Sequence, residues 1–515
     1  MSAGTPMAGK GITAHVTGLL ALALIAYLAV DRVRSYYRLR EFRGPWLAVT
    51  SKLWILKCLY YKNTHWELKR VCEEYGHVAR IGPNDLVTDD PDLLIKMSAV
   101  RSPYSKSEFY SGTQFDLELN HVFSERDEKR HLELRRRLTP GYSGKENPYL
   151  EESVDNRILD LMQLIDKEHI SVGSDMKPMD FARVAQYFTL DVISDVAFGE
   201  PIGFLVRNED VNGYCHVVEK ALPAFEWAAA LPMVNQLVRL PGLNKLVMPS
   251  PEDKSGVGMI MGFAKDMVSR RFEPHKIDRK DMLGSFLQHG LSRREAETEA
   301  TLQIMAGSDT TVTALRATVL FIITNPLIYT KLQRELATAT ANSPPTSPVV
   351  PDSTAKSLPY LLACIRESLR LWPPSFGLMQ KVVPPEGDTI HGRFVPGGTR
   401  IGHCTWGVLR HKGTFGLDAH VYRPERWLEA SEEKVAEMTR AADLLFGSGR
   451  YACLGKTVAF LELRKCLATL FARYDITLVD PTNPWKSVAA NGMFLQSDMW
   501  LRIEKRVDAE ALRGE

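Results

Sequence analysis

The chain has 515 residues, 45% of them hydrophobic and 24% charged, with a formal net charge of +2. That composition suits a large packed core, and so small a net charge supplies no bulk field for a nucleic-acid partner. The seven cysteines are scattered, odd in number and without a CxxC pair. Their spacing excludes a disulfide framework and a zinc site and fits a reducing compartment.

The first segment to stand out is Gly11 to Val30, an uncharged apolar run of about 20 residues, long enough to span a bilayer. Only Lys10 precedes it, whereas Arg32, Arg34, Arg38, Arg40 and Arg43 follow at once. The positive-inside rule therefore predicts a lumenal stretch at 1–10, an anchor at 11–30 and a cytosolic body. A cleaved signal peptide is the competing reading, but its apolar core is usually shorter. Residues 31–45 read as a basic hinge ending in Gly44-Pro45, with Tyr36, Tyr37 and Trp46 suited to the membrane interface.

Residues 46–505 read as one unit, with 506–515 as a tail. Most of 60–340 carries helical periodicity, and strand and turn signals concentrate late, from Thr389 to Val408. The expected class is mainly α with a small β region. The apolar stretch 221–248, with Trp227, Leu237, Leu240 and Val247, reads equally as core or as a surface that dips into the membrane. Residues 341–356, rich in proline and serine, predict a surface loop.

Ser292 and Glu295 form a capping box, and Asn325-Pro326 a stop, for a helix of about 33 residues. At its middle stands Ala306-Gly307-Ser308-Asp309-Thr310-Thr311. Hydroxyls that compete for backbone carbonyls predict a local opening there, with the Thr310 hydroxyl beside the Asp309 carboxylate as a proton relay. Close packing of small residues is the other reading of the same six. Further on, Glu367 and Arg370 lie one turn apart in an apolar helix closed by Pro373-Pro374. The same ExxR spacing at Glu67/Arg70, Glu133/Arg136, Glu437/Arg440 and Glu510/Arg513 reads mostly as solvated helix faces. A buried pair needs a further partner, and Arg426 in Tyr422-Arg423-Pro424-Glu425-Arg426-Trp427 is the candidate.

The richest stretch is Phe446-Gly447-Ser448-Gly449-Arg450-Tyr451-Ala452-Cys453-Leu454-Gly455, which enters a helix reaching to about Tyr474. A cysteine at a helix start meets unpaired N–H groups, which favour a thiolate, a soft ligand for haem iron. Gly455 lets backbone pass close to a flat macrocycle, and Phe446 can shield the sulfur. A buried, inert cysteine is the plainer reading.

Taken in order, AGSDTT, ExxR, PERW and FGSGRYACLG resemble the motifs of the cytochrome P450 superfamily over about residues 45–505. Lys106 to Tyr110, Ser124 to Asp127 and Gly492 to Trp500 are similar to fungal microsomal members, particularly the pisatin demethylase-like group. The resemblance implies the P450 fold behind one transmembrane helix, with haem b bound through Cys453 as the metal ligand. It also implies an oxygen-activating Asp309–Thr310 pair and a structural triad of Glu367, Arg370 and Arg426. This sequence departs from the family where propionate donors are usual. Tyr451 stands two places before the cysteine with Arg450 beside it, His131 and Arg135 stand for the WxxxR element, and Lys381 replaces an arginine. By family analogy Phe109, Met305, Ala306, Phe376, Met493 and Phe494 line the substrate pocket.

The implied reaction inserts one oxygen atom from O2 into an apolar small molecule of secondary metabolism, a terpenoid, polyketide or alkaloid. Electrons are expected from NADPH through a separate flavin-containing reductase in the endoplasmic reticulum membrane, with Arg450, Lys456, Arg464 and Lys465 as docking charges. Two alternatives stay open: a haem-thiolate isomerase or dehydratase that needs no O2, and a non-catalytic haem-binding membrane protein.

Overall fold

The computed structural model describes residues 19, 22–23, 26, 29–240, 242–272, 279–342, 348–490 and 492–506. Residues 1–10, most of the 11–30 anchor and the tail beyond Arg506 lie outside the described residues. Of the anchor, Leu19, Leu22, Ala23, Ala26, Ala29 and Val30 are helical and exposed. Among the described residues no single helix is long and apolar enough to cross a membrane.

The body is mainly helical and built around one long helix, Arg293–Ile323. Its start is fixed by the expected capping box: the Ser292 side chain accepts from the Glu295 N–H while the Glu295 side chain accepts from the Ser292 N–H. Helices Phe181–Phe198, Gly256–Ser269, Pro359–Leu371 and Lys456–Arg473 pack around it. Most residues from Ala296 to Ile322 are therefore buried, and burial on nearly all sides explains why this stretch shows little amphipathic patterning. The expected opening at 306–311 is not present, because helix runs through those residues without interruption. Ser308 and Thr310 instead donate back to the carbonyls of Ile304 and Ala306, each at 2.8 Å, without breaking the ladder.

The β content is larger and earlier than the periodicity predicts. A five-stranded sheet has the order Val78–Gly82, Asp85–Thr88, Arg400–His403, Lys381–Val382, Ser105–Lys106. All its pairs are antiparallel except Asp85–Thr88 with Arg400–His403. The two early strands are buried along their whole length, so they lack the alternation that marks a half-exposed strand. In the late region, where strand and turn signals concentrate, Asp388–Ile390 and Arg393–Val395 form a hairpin turning on His391 and Gly392 at φ 48° and 74°. The β-like run ends at His403, and Thr405–Val408 is a helical turn. Smaller sheets join Lys486–Ala490 to Met493–Ser497, and Met179–Asp180 to Trp500–Lys505 and Tyr474–Leu478.

The apolar stretch 221–248 and the proline- and serine-rich stretch 341–356 are each split between core and surface. In 221–248, Leu222 and Ala229 are core, whereas Leu237, Leu240 and Val247 are more than half exposed. Residues 343–347 lie outside the described residues, but Val349 and Val350 just after them are buried, so the chain enters the core there before the short helix Asp352–Lys356. The Val350 N–H donates to Thr469 Oγ1 there at 3.1 Å.

Candidate active site

The cysteine loop folds as its glycines require. Gly447 and Gly449 have φ of 69° and 54°, and a Cβ on Gly449 would sit 2.1 Å from the Ser98 carbonyl oxygen, so no other residue fits there. The loop closes with the Cys453 N–H donating to the Phe446 carbonyl at 2.6 Å. The following helix begins at Lys456, three residues later than the sequence predicts. Burial pushes the Cys453 thiol up, while the N–H groups of Gly455 and Lys456 and the charge of Arg135 pull it back. The helix-start stabilisation is present, and burial outweighs it. Yet Cys453 keeps open surface, and a Cβ on Gly455 would meet only the Cys453 sulfur, at 3.9 Å. A side chain enclosed by protein yet not covered by it lines an internal hollow.

The long helix turns an open face of its own to the interior. Ala306 is exposed and Gly307 and Thr310 are half-buried, while Ser308, Asp309 and Thr311 are buried. Positions i, i+1 and i+4 share one face of a helix. Asp309 points elsewhere: its Oδ1 accepts from Gln186 Nε2 at 3.0 Å, and Gln186 Oε1 accepts from Arg316 Nη2 at 3.2 Å. The expected pairing of the Asp309 carboxylate with the Thr310 hydroxyl is thus not formed. Burial lifts the Asp309 carboxyl to about 6, against the opposing pull of Arg316.

Beside the cysteine loop, charged side chains collect with too few counter-ions. Lys381 Nζ donates to the Tyr110 hydroxyl at 2.7 Å and lies 3.8 Å from the centre of the Tyr451 ring. Arg450 Nε lies 3.3 Å from Glu128 Oε2, and the Tyr451 hydroxyl donates to the other oxygen of Glu128. Arg135 Nη1 donates to the Ala452 carbonyl at 2.6 Å. His131 packs against Tyr451 at 5.4 Å with its Nδ1 unpartnered. Burial, then Lys106 and Arg135, drives its pKa to about 3, so the ring is neutral at ordinary pH.

Glu367, Arg370 and Arg426 meet as the sequence predicts. Arg370 donates to Glu367 through Nε at 2.9 Å and Nη2 at 2.7 Å, and Arg426 Nε donates at 2.8 Å. Trp427 Nε1 adds a bond at 2.9 Å that sequence reasoning missed, although the indole follows Arg426 directly. Glu67/Arg70 and Glu133/Arg136 pair on the surface, whereas Glu437 and Arg440 turn to Lys434 and Asp92 instead. Glu510 and Arg513 lie outside the described residues.

The proposed pocket residues fall into two groups. Ala306, Phe109 and Met493 keep accessible surface, and Phe109 approaches Gly377 and so Gly492. Met305, Phe376 and Phe494 are packed core. In strand Met493–Ser497 alternate residues face opposite ways, so Phe494 leaves the Met493 and Leu495 face and joins Phe376, His65 and Trp406. Phe376 and Phe494 are 4.7 Å apart and shape the wall from behind.

A cytochrome P450 family model matches residues 44–499. The chain is 39% identical over 506 residues to cytochrome P450 monooxygenase ABA1 of Pyricularia oryzae, covering 96% of this chain and 98% of that protein. It is 36% identical to cytochrome P450 monooxygenase aba1 of Botryotinia fuckeliana, covering 92% and 93%. With cytochrome P450 monooxygenase pkfB of Emericella nidulans the identity is 32%, over 96% of each chain. This chain belongs to the cytochrome P450 family.

Membership makes this P450 a monooxygenase and implies a haem. The residues present fit one. An open-surfaced thiol, a glycine that leaves space beside it and a buried excess of cations match the iron, the flat ring and the carboxylates of that cofactor. The family implication for partner docking fits less well. Arg450, Arg464 and Lys465 are buried, and Arg464 and Lys465 are ion-paired with Asp352 and with Glu151 and Asp155. None of the three can meet a partner's surface. Lys456 remains, beside Phe446 and Phe460 in a surface cleft.

Proposed function

We propose that this P450 inserts one oxygen atom from O2 into an apolar small molecule of fungal secondary metabolism, the second atom leaving as water. Electrons come from NADPH through a separate flavin-containing reductase. The body works on the cytosolic side of the endoplasmic reticulum, tethered by residues 11–30. Trp46, Leu53, Tyr60 and Tyr61 are each more than half exposed, and the Leu53–Tyr60 helix packs beside Tyr214–Ala230. Lys52 Nζ donates across that seam to the Ala230 carbonyl at 3.1 Å. The exposed Leu237, Leu240 and Val247 follow that helix in the chain, and this apolar surface suits contact with lipid.

When bound, haem b supplies O2 activation and oxygen transfer. The protein's part is holding, drying and protonating. Cys453 provides the thiolate, with Gly455 and Lys456 N–H groups on its sulfur and Phe446 beside it. Arg135, Arg450, Lys381 and neutral His131 hold the carboxylate edge. Thr310, whose hydroxyl donates to the Ala306 carbonyl at rest, turns to hold a proton at the open helix face. Asp309, poised near pH 6, holds and releases a proton at its carboxylate, positioned by the Gln186 Nε2 hydrogen bond, and passes it inward as its side chain rotates away from that amide. Ala306, Phe109 and Met493 present apolar surface to the substrate.

The observation that carries this reading is Cys453 itself, an enclosed thiol facing open space in a loop that admits only glycine at 449. The test has two arms. The reduced protein under carbon monoxide should give a thiolate-haem spectrum, lost in Cys453→Ser. Deleting the gene in its host should accumulate a precursor one oxygen lighter than the product, and isotopically labelled O2 should mark that product once. A nitrogen-ligated spectrum, or turnover without O2, overturns the proposal.

A further inference from the structure

Lys106 and Lys381 are direct partners across an antiparallel strand pair, Ser105–Lys106 against Lys381–Val382, so their side chains leave the sheet on the same face. Both are almost fully buried, at 4% and 1% exposure. Like charges placed opposite one another are destabilising, and an unpaired buried ammonium costs several kcal/mol. Neither lysine forms an ion pair among the described residues.

The nearby carboxyl groups are engaged elsewhere. Glu128 is held by Arg450 and Tyr451. Glu299 accepts from the Val122 N–H at 2.6 Å, and burial lifts its carboxyl to about 8, so it is largely neutral at pH 7. The Lys106 backbone N–H reaches Glu128 Oε1 at 3.4 Å, but what its ammonium touches is uncharged: Nζ donates to the carbonyls of Val122 at 3.0 Å and Phe123 at 2.8 Å. The Tyr110 and Tyr451 rings stand 5.1 and 5.6 Å away. Ring contacts of this kind contribute about 0.5–2 kcal/mol, less than the cost of the charge. One N–H of Lys106 and two of Lys381 remain free to donate.

We propose that Lys106 is a haem-anchoring residue, and that with Lys381 across the strand pair it takes the two carboxylates of the cofactor. The proposal rests on the haem reading above. It also accounts for Tyr451 where an arginine or histidine is usual in the family: Lys106 and Lys381 flank that ring and bring the missing charge from another strand. Without the anion, burial lowers both lysines, Lys106 to about 7, and the anion restores their protons.

The test measures loss of haem from the full-length holoenzyme to excess apomyoglobin, using haem and its dimethyl ester, which lacks both negative charges. Wild type should release the diester roughly 10–100-fold faster than haem. Lys106→Gln keeps a donor for the Val122 and Phe123 carbonyls but loses the charge; it should release haem roughly 10-fold faster and the diester at the wild-type rate. Lys106→Arg should stay near wild type. Equal release of haem and diester from wild type overturns the proposal whether or not the variants fold. So does a Lys106→Gln protein that releases both at wild-type rates, or that speeds both equally, since the lysine then only ties down the Val122–Phe123 loop. A wild-type protein without a thiolate-haem spectrum fails the haem reading instead, which separates the two failures.

Discussion

Around Glu367, two guanidiniums and an indole N–H converge on one fully buried carboxylate, and the spare N–H groups of Arg370 reach the carbonyls of Leu409, Ala419 and Val421. Around Lys106 and Lys381, cations equally remote from solvent meet carbonyls, tyrosine rings and one another. The first network is complete without a ligand and the second is not. Buried charge that is fully answered holds structure together, whereas buried charge left unanswered marks where something else binds.

Substitutions can break that contrast. The largest effect is expected at Glu367→Ala, which strands the fully buried Arg370 without an anion and leaves Arg426 only Asp418. A loss of about 3–5 kcal/mol should leave little folded protein, seen as absent soluble haem protein; normal yield would mean the closed network is dispensable. Asp309 occupies a middle case, answered by Gln186 and Arg316 yet still raised. Asp309→Asn should lower kcat roughly 10²-fold and flatten the pH profile near 6.

The sign of the Asp309 contribution to stability follows from its raised pKa. The folded state holds this proton more tightly than the unfolded chain, so the stabilisation is complete below about pH 4 and is lost as pH rises through about 6. Thermal unfolding of wild type, compared with Asp309→Asn from pH 5 to 7.5, should show wild type losing ground as pH rises. Lys381→Met should fold in normal yield but release haem about 10–100-fold faster, the reverse of the Glu367 outcome. The smallest effect belongs to Glu67→Ala. It has the same ExxR spacing as the buried pair, but in a solvated pair with Arg70, and should leave the unfolding temperature within replicate scatter.

The motifs made the triad, the cysteine loop and the capped long helix legible, because each rests on local spacing that backbone geometry converts directly into contact. Lys106 was quoted only as family texture, since its meaning lies in register: nothing near residue 106 reveals that Lys381 stands opposite. Gln186 was missed for the same reason, being joined to Asp309 only by helix crossing, whereas Arg316, seven residues on along the same helix, was legible from spacing alone. The opening at 306–311 failed because tight packing around the helix outweighs the competition of its hydroxyls for carbonyls. Phe494 was misplaced by one step of strand alternation, which sends neighbouring residues to opposite faces, and Phe376 packs behind the wall against it. Arg464 and Lys465 looked solvated because a charged helix stretch gives no hint of the acids packed over it.

The strand pair that carries the two lysines also has a bearing on how the molecule comes into being. Tyr110 and Lys381, which share a hydrogen bond, are 271 residues apart, and the sulfur at 453 is made later still. A growing polypeptide on the ribosome therefore has no completed berth for its prosthetic group until most of its length has emerged, and closing so wide a span is slow. Porphyrin supply during the final stage of translation should govern how much of the newly made protein escapes degradation.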